Sequence, residues 1–177
     1  MKNLFFLAIV IATFSCKPPH IFKNLENKKV VYISLNKYEL ESVPKDIGHL
    51  KDVRELYISR DSMQGWSLYP PISAIDELVD SPPFKKLPEE FLTLQKLEKL
   101  TLHGLDISRL PKDFYKLRNL EYLDLSMNKL TITNEISKLK KLKKLKYLDL
   151  VGNRVEKIQI EKWQTENPNI EIKYGEN

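Results

Sequence analysis

LEKLTLHGLDISRLPKDFYKLRNLEYLDL, residues 97–125, places leucine or an apolar equivalent at 97, 100, 102, 105, 107, 110, 114, 117 and 120, and then begins again. Leu97-x-x-Leu100-x-Leu102 returns as Leu120-x-x-Leu123-x-Leu125, 23 residues on. A self-similar period of this size marks a unit that cannot bury its own apolar face and must stack against copies of itself. Within each head the alternation is that of a strand: Leu100 and Leu102 face one way, Lys99, Thr101 and His103 the other.

Extending the spacing outward places apolar residues at repeat positions 1, 4, 6, 11, 14, 18 and 21. The first unit starts at Val30 and continues through Ile33, Leu35, Leu40, Val43-Pro44, Ile47 and Leu50. The second starts at Val53 with Leu56 and Ile58, and the pattern then breaks until Leu87-Pro88, Phe91 and Leu94. From Val53 to Leu97 is 44 residues, twice 22. That arithmetic favours a degenerate repeat in which Ile75–Asp80 takes the strand slot, with Asp80 badly placed at an inward position. The competing reading is an excursion from Ser59 to Pro83 that carries Trp66, Tyr69 and two Pro-Pro pairs. Later units run from Leu120 through Asn128, Leu130 and Ile136 to Leu142, and from Leu145 through Leu148, Leu150, Asn153, Val155 and Ile158. Ile170 and Ile172 begin a final half-unit. Starts at 30, 53, 75, 97, 120, 145 and 167 predict about seven strands.

The L-x-x-L-x-L heads and the segment Leu110-Pro111-Lys112-Asp113-Phe114-Tyr115-Lys116-Leu117 resemble the leucine-rich repeat family, in particular bacterial members whose second half reads L-P-x-x-F/I-x-x-L. The resemblance implies an α/β leucine-rich repeat solenoid, with parallel strands on the concave face and short helices or 3-10 turns on the convex side. It also implies that Asn128 and Asn153, one period apart, bond backbone groups of neighbouring turns. Tyr38, Asp61 and Leu105 depart from asparagine at that position, so those turns should be looser or bonded differently.

Met1-Lys2-Asn3 followed by the apolar run Leu4–Phe14 has the make-up of a signal peptide, and is too short for a membrane-spanning helix. Ser15-Cys16 at its end looks like a bacterial lipobox, although Thr13 stands where leucine is usual. The resemblance implies cleavage before Cys16 and acylation of its thiol; ordinary cleavage nearby, leaving a free thiol, is the alternative. The expected organisation is a signal peptide over 1–15, a tether over 16–28 and the repeat domain over 29–177, with the degenerate repeat or excursion at 59–86.

Composition narrows the function. A net charge of +5 is mild and does not call for nucleic acid. One cysteine forbids an intramolecular disulfide, and His20, His49 and His103 share no metal-ligand spacing. The lysines at 138, 140, 141, 143, 144 and 146 alternate with Leu139, Leu142 and Leu145, which places them on the convex or flanking surface. They read first as a solvated face and second as a contact for anionic lipid or glycan.

The outward strand positions are where a partner would touch. Tyr32, Tyr57, Lys99, Thr101, His103, Tyr122, Asp124, Ser126, Tyr147 and Asp149 are the expected partner-binding residues. Tyrosine gives rigid contact area with a polar tip. Tyr122 with Tyr147, and Asp124 with Asp149, should be lateral neighbours roughly 4.8 Å apart. Asp124–Asp149 and His103–Ser126 are the only acid or base pairings on this face that suggest chemistry, and an open sheet gives them neither a pocket nor exclusion of water. No catalytic residue, metal or cofactor is expected.

The expected function is therefore non-enzymatic: a monomeric surface or envelope binding module, secreted across the inner membrane and lipid-anchored through Cys16, that holds a protein partner on its concave face. The alternative is a structural envelope lipoprotein whose basic face contacts anionic lipid or glycan.

Overall fold

The structure, a computed structural model, describes residues 21–60 and 86–175. The expected signal segment and Cys16, together with Asp61, Trp66, Tyr69 and the predicted coil start at 75, lie outside the described residues.

Six strands form one parallel sheet in chain order: β1 (Val30–Ser34), β2 (Glu55–Ser59), β3 (Lys99–Leu102), β4 (Tyr122–Asp124), β5 (Tyr147–Asp149) and β6 (Glu171–Lys173). Their register aligns equivalent repeat positions, so Val31, Leu56, Leu100, Leu123, Leu148 and Ile172 make one inward column. Every member of that column is buried. The fold is the leucine-rich repeat solenoid.

The strand expected from 75 has no place between β2 and β3, because those two pair directly, Glu55 opposite Lys99 and Leu56 opposite Leu100. The described sheet therefore has six strands where seven were expected. The coil begun at Val53 is completed by Leu87–Leu94, whose 3-10 turn Glu89–Thr93 lies against the turn Lys45–His49 of the first coil. Gly48 permits that approach: a Cβ there would stand 3.1 Å from the Glu90 Cβ, and Thr93 Oγ1 donates to the Gly48 carbonyl at 3.3 Å.

On the convex side the L-P-x-x-F segments act as turn formers. The carbonyls of Pro44, Pro88 and Pro111 each accept from the residue three further on, Ile47, Phe91 and Phe114, at 3.1 Å. Proline has no N–H to leave unsatisfied at this entry, and its fixed φ suits the turn. The 25-residue unit from Leu120 lacks that proline and returns instead through α1 (Ile132–Leu139). Glu135 of α1 is buried and pairs with Lys138 at 2.6 Å. Together they satisfy both backbone groups of Leu110: the Leu110 N–H donates to Glu135 Oε2 at 3.3 Å, and Lys138 Nζ donates to the Leu110 carbonyl at 2.9 Å. Lys138, expected with the solvated lysines, is thus a structural residue of the coil interface.

The segments before β1 and before β6 add to the core. Phe22 is fully buried and meets Tyr38 edge-on, with ring centroids 5.6 Å apart, and the Ile21 N–H donates to Asp46. Residues 21–28, expected to belong to a tether, therefore form the first cap, since the leading coil would otherwise expose its apolar end. At the other end α2 (Lys157–Glu166) buries Ile160 and Trp163. Ile158, expected inward, is 81% exposed, because a helical return presents a different face from the short turn that the repeat template assumes.

Asn128 and Asn153 bind the coils to one another. Asn128 Oδ1 accepts from the Leu105 and Ile107 N–H groups at 3.1 and 3.0 Å, and its amide donates to the Leu102 and Leu125 carbonyls at 2.6 and 2.9 Å. Asn153 Oδ1 accepts from Leu130 N–H at 3.0 Å and its amide donates to Leu125 and Leu150. Leu105, which stands at the asparagine position of its own coil, is served by Asn128 of the next. Tyr38 fills that position in the first coil by packing on Phe22. Asn128→Ala should lower the stability by about 3 kcal/mol in urea unfolding, because several buried backbone groups lose partners at once.

Candidate functional site

The sheet register sorts the outward residues into rows that run across the strands. One row is Val30, Glu55, Lys99, Tyr122, Tyr147 and Glu171; the next is Tyr32, Tyr57, Thr101, Asp124, Asp149 and Lys173. Equivalent positions on parallel strands are about 4.8 Å apart, near the contact distance of two flat rings. Tyr122 and Tyr147 stack with centroids 4.5 Å apart and planes 2° from parallel. Tyr32 and Tyr57 stack at 4.6 Å and 11°. The lateral pairing of Tyr122 with Tyr147 and of Asp124 with Asp149 follows the expected geometry.

The tyrosines lie in an acid-lined, partly desolvated band. Burial, followed by the hydrogen bond that its hydroxyl donates to Glu55 at 2.9 Å, pushes the Tyr57 pKa up to about 12. Tyr32 and Tyr122 add to the cost of ionising Tyr57, which ties the two tyrosine pairs into one band across β3. Burial, then the Asp124 carboxylate, pushes Tyr122 up to about 12 as well.

Exposure separates the ten expected contact residues. Tyr32 and His103 are exposed, as is Lys99, whose ammonium lies 3.6 Å from Glu55. Tyr57, Tyr122, Asp124, Tyr147 and Asp149 are half-buried by one another. Thr101 and Ser126 are buried, because their short side chains sit low among taller neighbours. These two face the concave side yet offer little surface to a partner.

His103, Ser126 and Asp124 are brought together in an order that does not suit nucleophilic chemistry. The Ser126 hydroxyl donates to Asp124 Oδ1 at 2.5 Å, so its lone pair accepts from His103 Nδ1 at 2.8 Å. A nucleophilic serine instead gives its proton to the histidine. Asp124 Oδ1 also accepts the Ser126 N–H at 2.8 Å, and Asp149 Oδ1 accepts the Val151 N–H at 3.0 Å. One oxygen of each aspartate therefore closes a turn at the strand end.

The lysine run is largely engaged. Lys146 pairs with Glu121 at 2.7 Å and holds that carboxyl below its usual range, first through the hydrogen bond and then through its charge. Lys140 pairs with Glu166 at 3.4 Å, Lys141 lies over the Tyr115 ring at 4.9 Å, and Lys144 donates to Asn119 at 2.8 Å.

Met127 was not legible as a surface residue. It holds φ 55° at the coil position where the neighbouring coils have Gly104 and Gly152, and it is 50% exposed. Its sulfur occupies the space a Gly152 Cβ would need, 2.6 Å from that point. The only sequence signal is the alignment of Gly104, Met127 and Gly152 across three units.

A leucine-rich repeat family model matches residues 95–155. No curated protein matches the chain at a significant level. Among solved structures, an internalin of Listeria monocytogenes is similar at 16% identity and a TM-score of 0.52, over 80% of this chain and 36% of that one. A leucine-rich repeat protein of Leptospira interrogans is similar at 23% identity and a TM-score of 0.46, over 80% of this chain and 39% of that one. The ectodomain of the receptor kinase SOBIR1 from Arabidopsis thaliana is similar at 23% identity and 0.48, over 75% of this chain and 60% of that one. The chain thus spans between about a third and three fifths of the length of these structures. The family match over residues 95–155 and the likeness to the internalin agree with the fold described above, a leucine-rich repeat solenoid.

Tyrosine ultraviolet titration should show two groups ionising near pH 12. Since their pKa values are raised in the folded state, stability should be full below pH 10 and fall as pH rises from about 10 to about 12. Glu55→Gln should bring Tyr57 only part of the way back towards 10, because burial is the larger cause.

Proposed function

We propose that this chain is a non-enzymatic binding module that holds a protein partner on its concave face. The observation that carries this reading is the pair of stacked tyrosine couples, Tyr32 with Tyr57 and Tyr122 with Tyr147, on the outward face of the sheet. Solenoids bind through such extended concave surfaces, and rigid aromatic anchors supply much of the energy at protein interfaces. Tyr32, Tyr57, Lys99, His103, Tyr122, Asp124, Tyr147 and Asp149 form the contact set, with Thr101 and Ser126 beneath it.

The same reading takes residues 1–15 as a secretion signal and Cys16 as the site of a lipid anchor that holds the monomer in the cell envelope. Mass spectrometry of the mature chain should show an N-terminal Cys16 carrying acyl chains; a full-length chain with unmodified Met1 would remove the envelope assignment and leave the binding face in place.

The basic-face alternative meets a run whose lysines are mostly occupied within the protein, Lys138 and Lys146 in ion pairs among them. Tyr122→Ala with Tyr147→Ala should weaken capture of a purified envelope partner about tenfold or more and leave the circular dichroism spectrum unchanged. Binding that survives this double substitution, follows anionic liposomes and vanishes with added salt would support the basic-face reading instead.

A further inference from the structure

The concave face carries two features that the fold itself does not need. The first is charge. Its strands bear Glu55, Asp124, Asp149 and Glu171 against Lys99 and Lys173. Lys99 is 3.6 Å from Glu55, and Lys173 is 3.9 Å from Glu171 with its ammonium 5.2 Å from the Tyr147 ring centroid. Among the described residues, Asp124 and Asp149 form no ion pair; they stand side by side in the register, with Lys173, which Glu171 also engages, opposite Asp149 on its other side. The turns they close use one oxygen each, a task that asparagine performs equally well. Like charges directly opposite one another on a sheet are destabilising. The second oxygens are left nearly free: Asp149 Oδ2 accepts only from the Tyr147 hydroxyl, at 3.4 Å.

The second feature is Met127. The coil positions on either side hold Gly104 and Gly152 at φ 65° and 75°, the residue type this left-handed backbone favours. A methionine there strains the backbone and leaves a flexible thioether half exposed, beside Val151 at 38% exposure. The Met127 N–H donates to the Val151 carbonyl at 2.7 Å, which joins the two into one apolar rim at the strand ends.

We propose that the C-terminal half of the concave face, over β4 and β5, receives an extended protein segment in which basic and apolar side chains alternate. Basic side chains of the segment lie against Asp124 and Asp149 beside the Tyr122–Tyr147 stack, and apolar ones rest on Met127 and Val151. This rests on the concave-face reading above and adds the chemistry of the partner. Charge complementarity favours it: β4 and β5 carry two adjacent carboxylates, and the cation beside them, Lys173 opposite Asp149, is shared with Glu171. The partner's cations relieve that local repulsion, and charge-assisted hydrogen bonds to carboxylates are among the strong ones.

The test uses the full chain and three capped nonapeptides, which alternate leucine with arginine, glutamate or serine. Binding is read by fluorescence anisotropy, and amide shifts are followed by NMR. The arginine peptide should bind and shift Asp124, Met127, Asp149 and Val151. Asp124→Asn with Asp149→Asn, which keeps both turns, should weaken it about tenfold or more, and Met127→Gly, which relieves the backbone, should weaken it while the fold persists. Equal or tighter binding of the glutamate or serine peptide overturns the proposal, as does unchanged affinity in the Asn double variant or no binding of the arginine peptide at millimolar concentration. If all three peptides bind the concave strands alike and Tyr122→Ala with Tyr147→Ala abolishes that binding, the concave-face reading stands and only the basic partner falls. If the arginine peptide shifts residues away from these strands alone, both fall.

Discussion

A coil of about 23 residues is too short to close over its own leucines, and everything else in this structure follows from that shortfall. The inward column from Val31 to Ile172 is buried only because each strand has a neighbour in register. The polar groups buried with it need partners too, and they are found across coils rather than within them. Asn128 reaches back to Leu102, Leu105 and Ile107, and Asn153 to Leu125 and Leu130. Stability is then a sum of nearest-neighbour interfaces, and the two open ends require separate answers. Phe22 with Tyr38 covers the first coil, and Trp163 and Ile160 of α2 fill the coil that leads into β6.

The same geometry that buries the leucines frees the opposite face of the sheet. Alternation turns every second strand residue away from the core, and parallel register brings like positions within ring-stacking distance. Stacked tyrosines are a direct product of that repeat. Their acidic surroundings are not, since Asp124 and Asp149 are held by short turns that asparagine would also close. Residues fixed by the coil and residues merely tolerated by it can therefore be told apart on this face. The tolerated ones are the two carboxylates and Met127.

Charge elsewhere is mostly absorbed between neighbouring coils. Lys146 with Glu121, Lys96 with Asp52 and Arg54 with Glu98 each span adjacent units, and exposed pairs of this kind add little stability singly. The buried Glu135–Lys138 pair differs, because it replaces the backbone partners of Leu110 at the entry to a proline turn. A lysine run that looks uniform along the chain thus holds one half-buried residue bonded into the coil interface and several more exposed ones.

Periodicity determined much of this protein without any structure. The heads at Val30, Val53, Leu97, Leu120 and Leu145 carry β1 to β5, and Ile170 and Ile172 flank the start of β6, because burial of every second strand residue leaves a repeating trace in the chain. The outward residues followed by alternation, and so did the Tyr122–Tyr147 pairing. What the sequence did not decide was which strands pair across the 44-residue spacing, since spacing counts residues and not strand partners; in the described sheet Glu55 pairs with Lys99. Nor did it reveal that Phe22 packs into the first coil, that Ile158 points outward, that Lys138 bonds the Leu110 backbone, or that Thr101 and Ser126 lie beneath their neighbours. Each of these depends on what a side chain meets from another coil or helix, and only the tertiary structure brings those groups together.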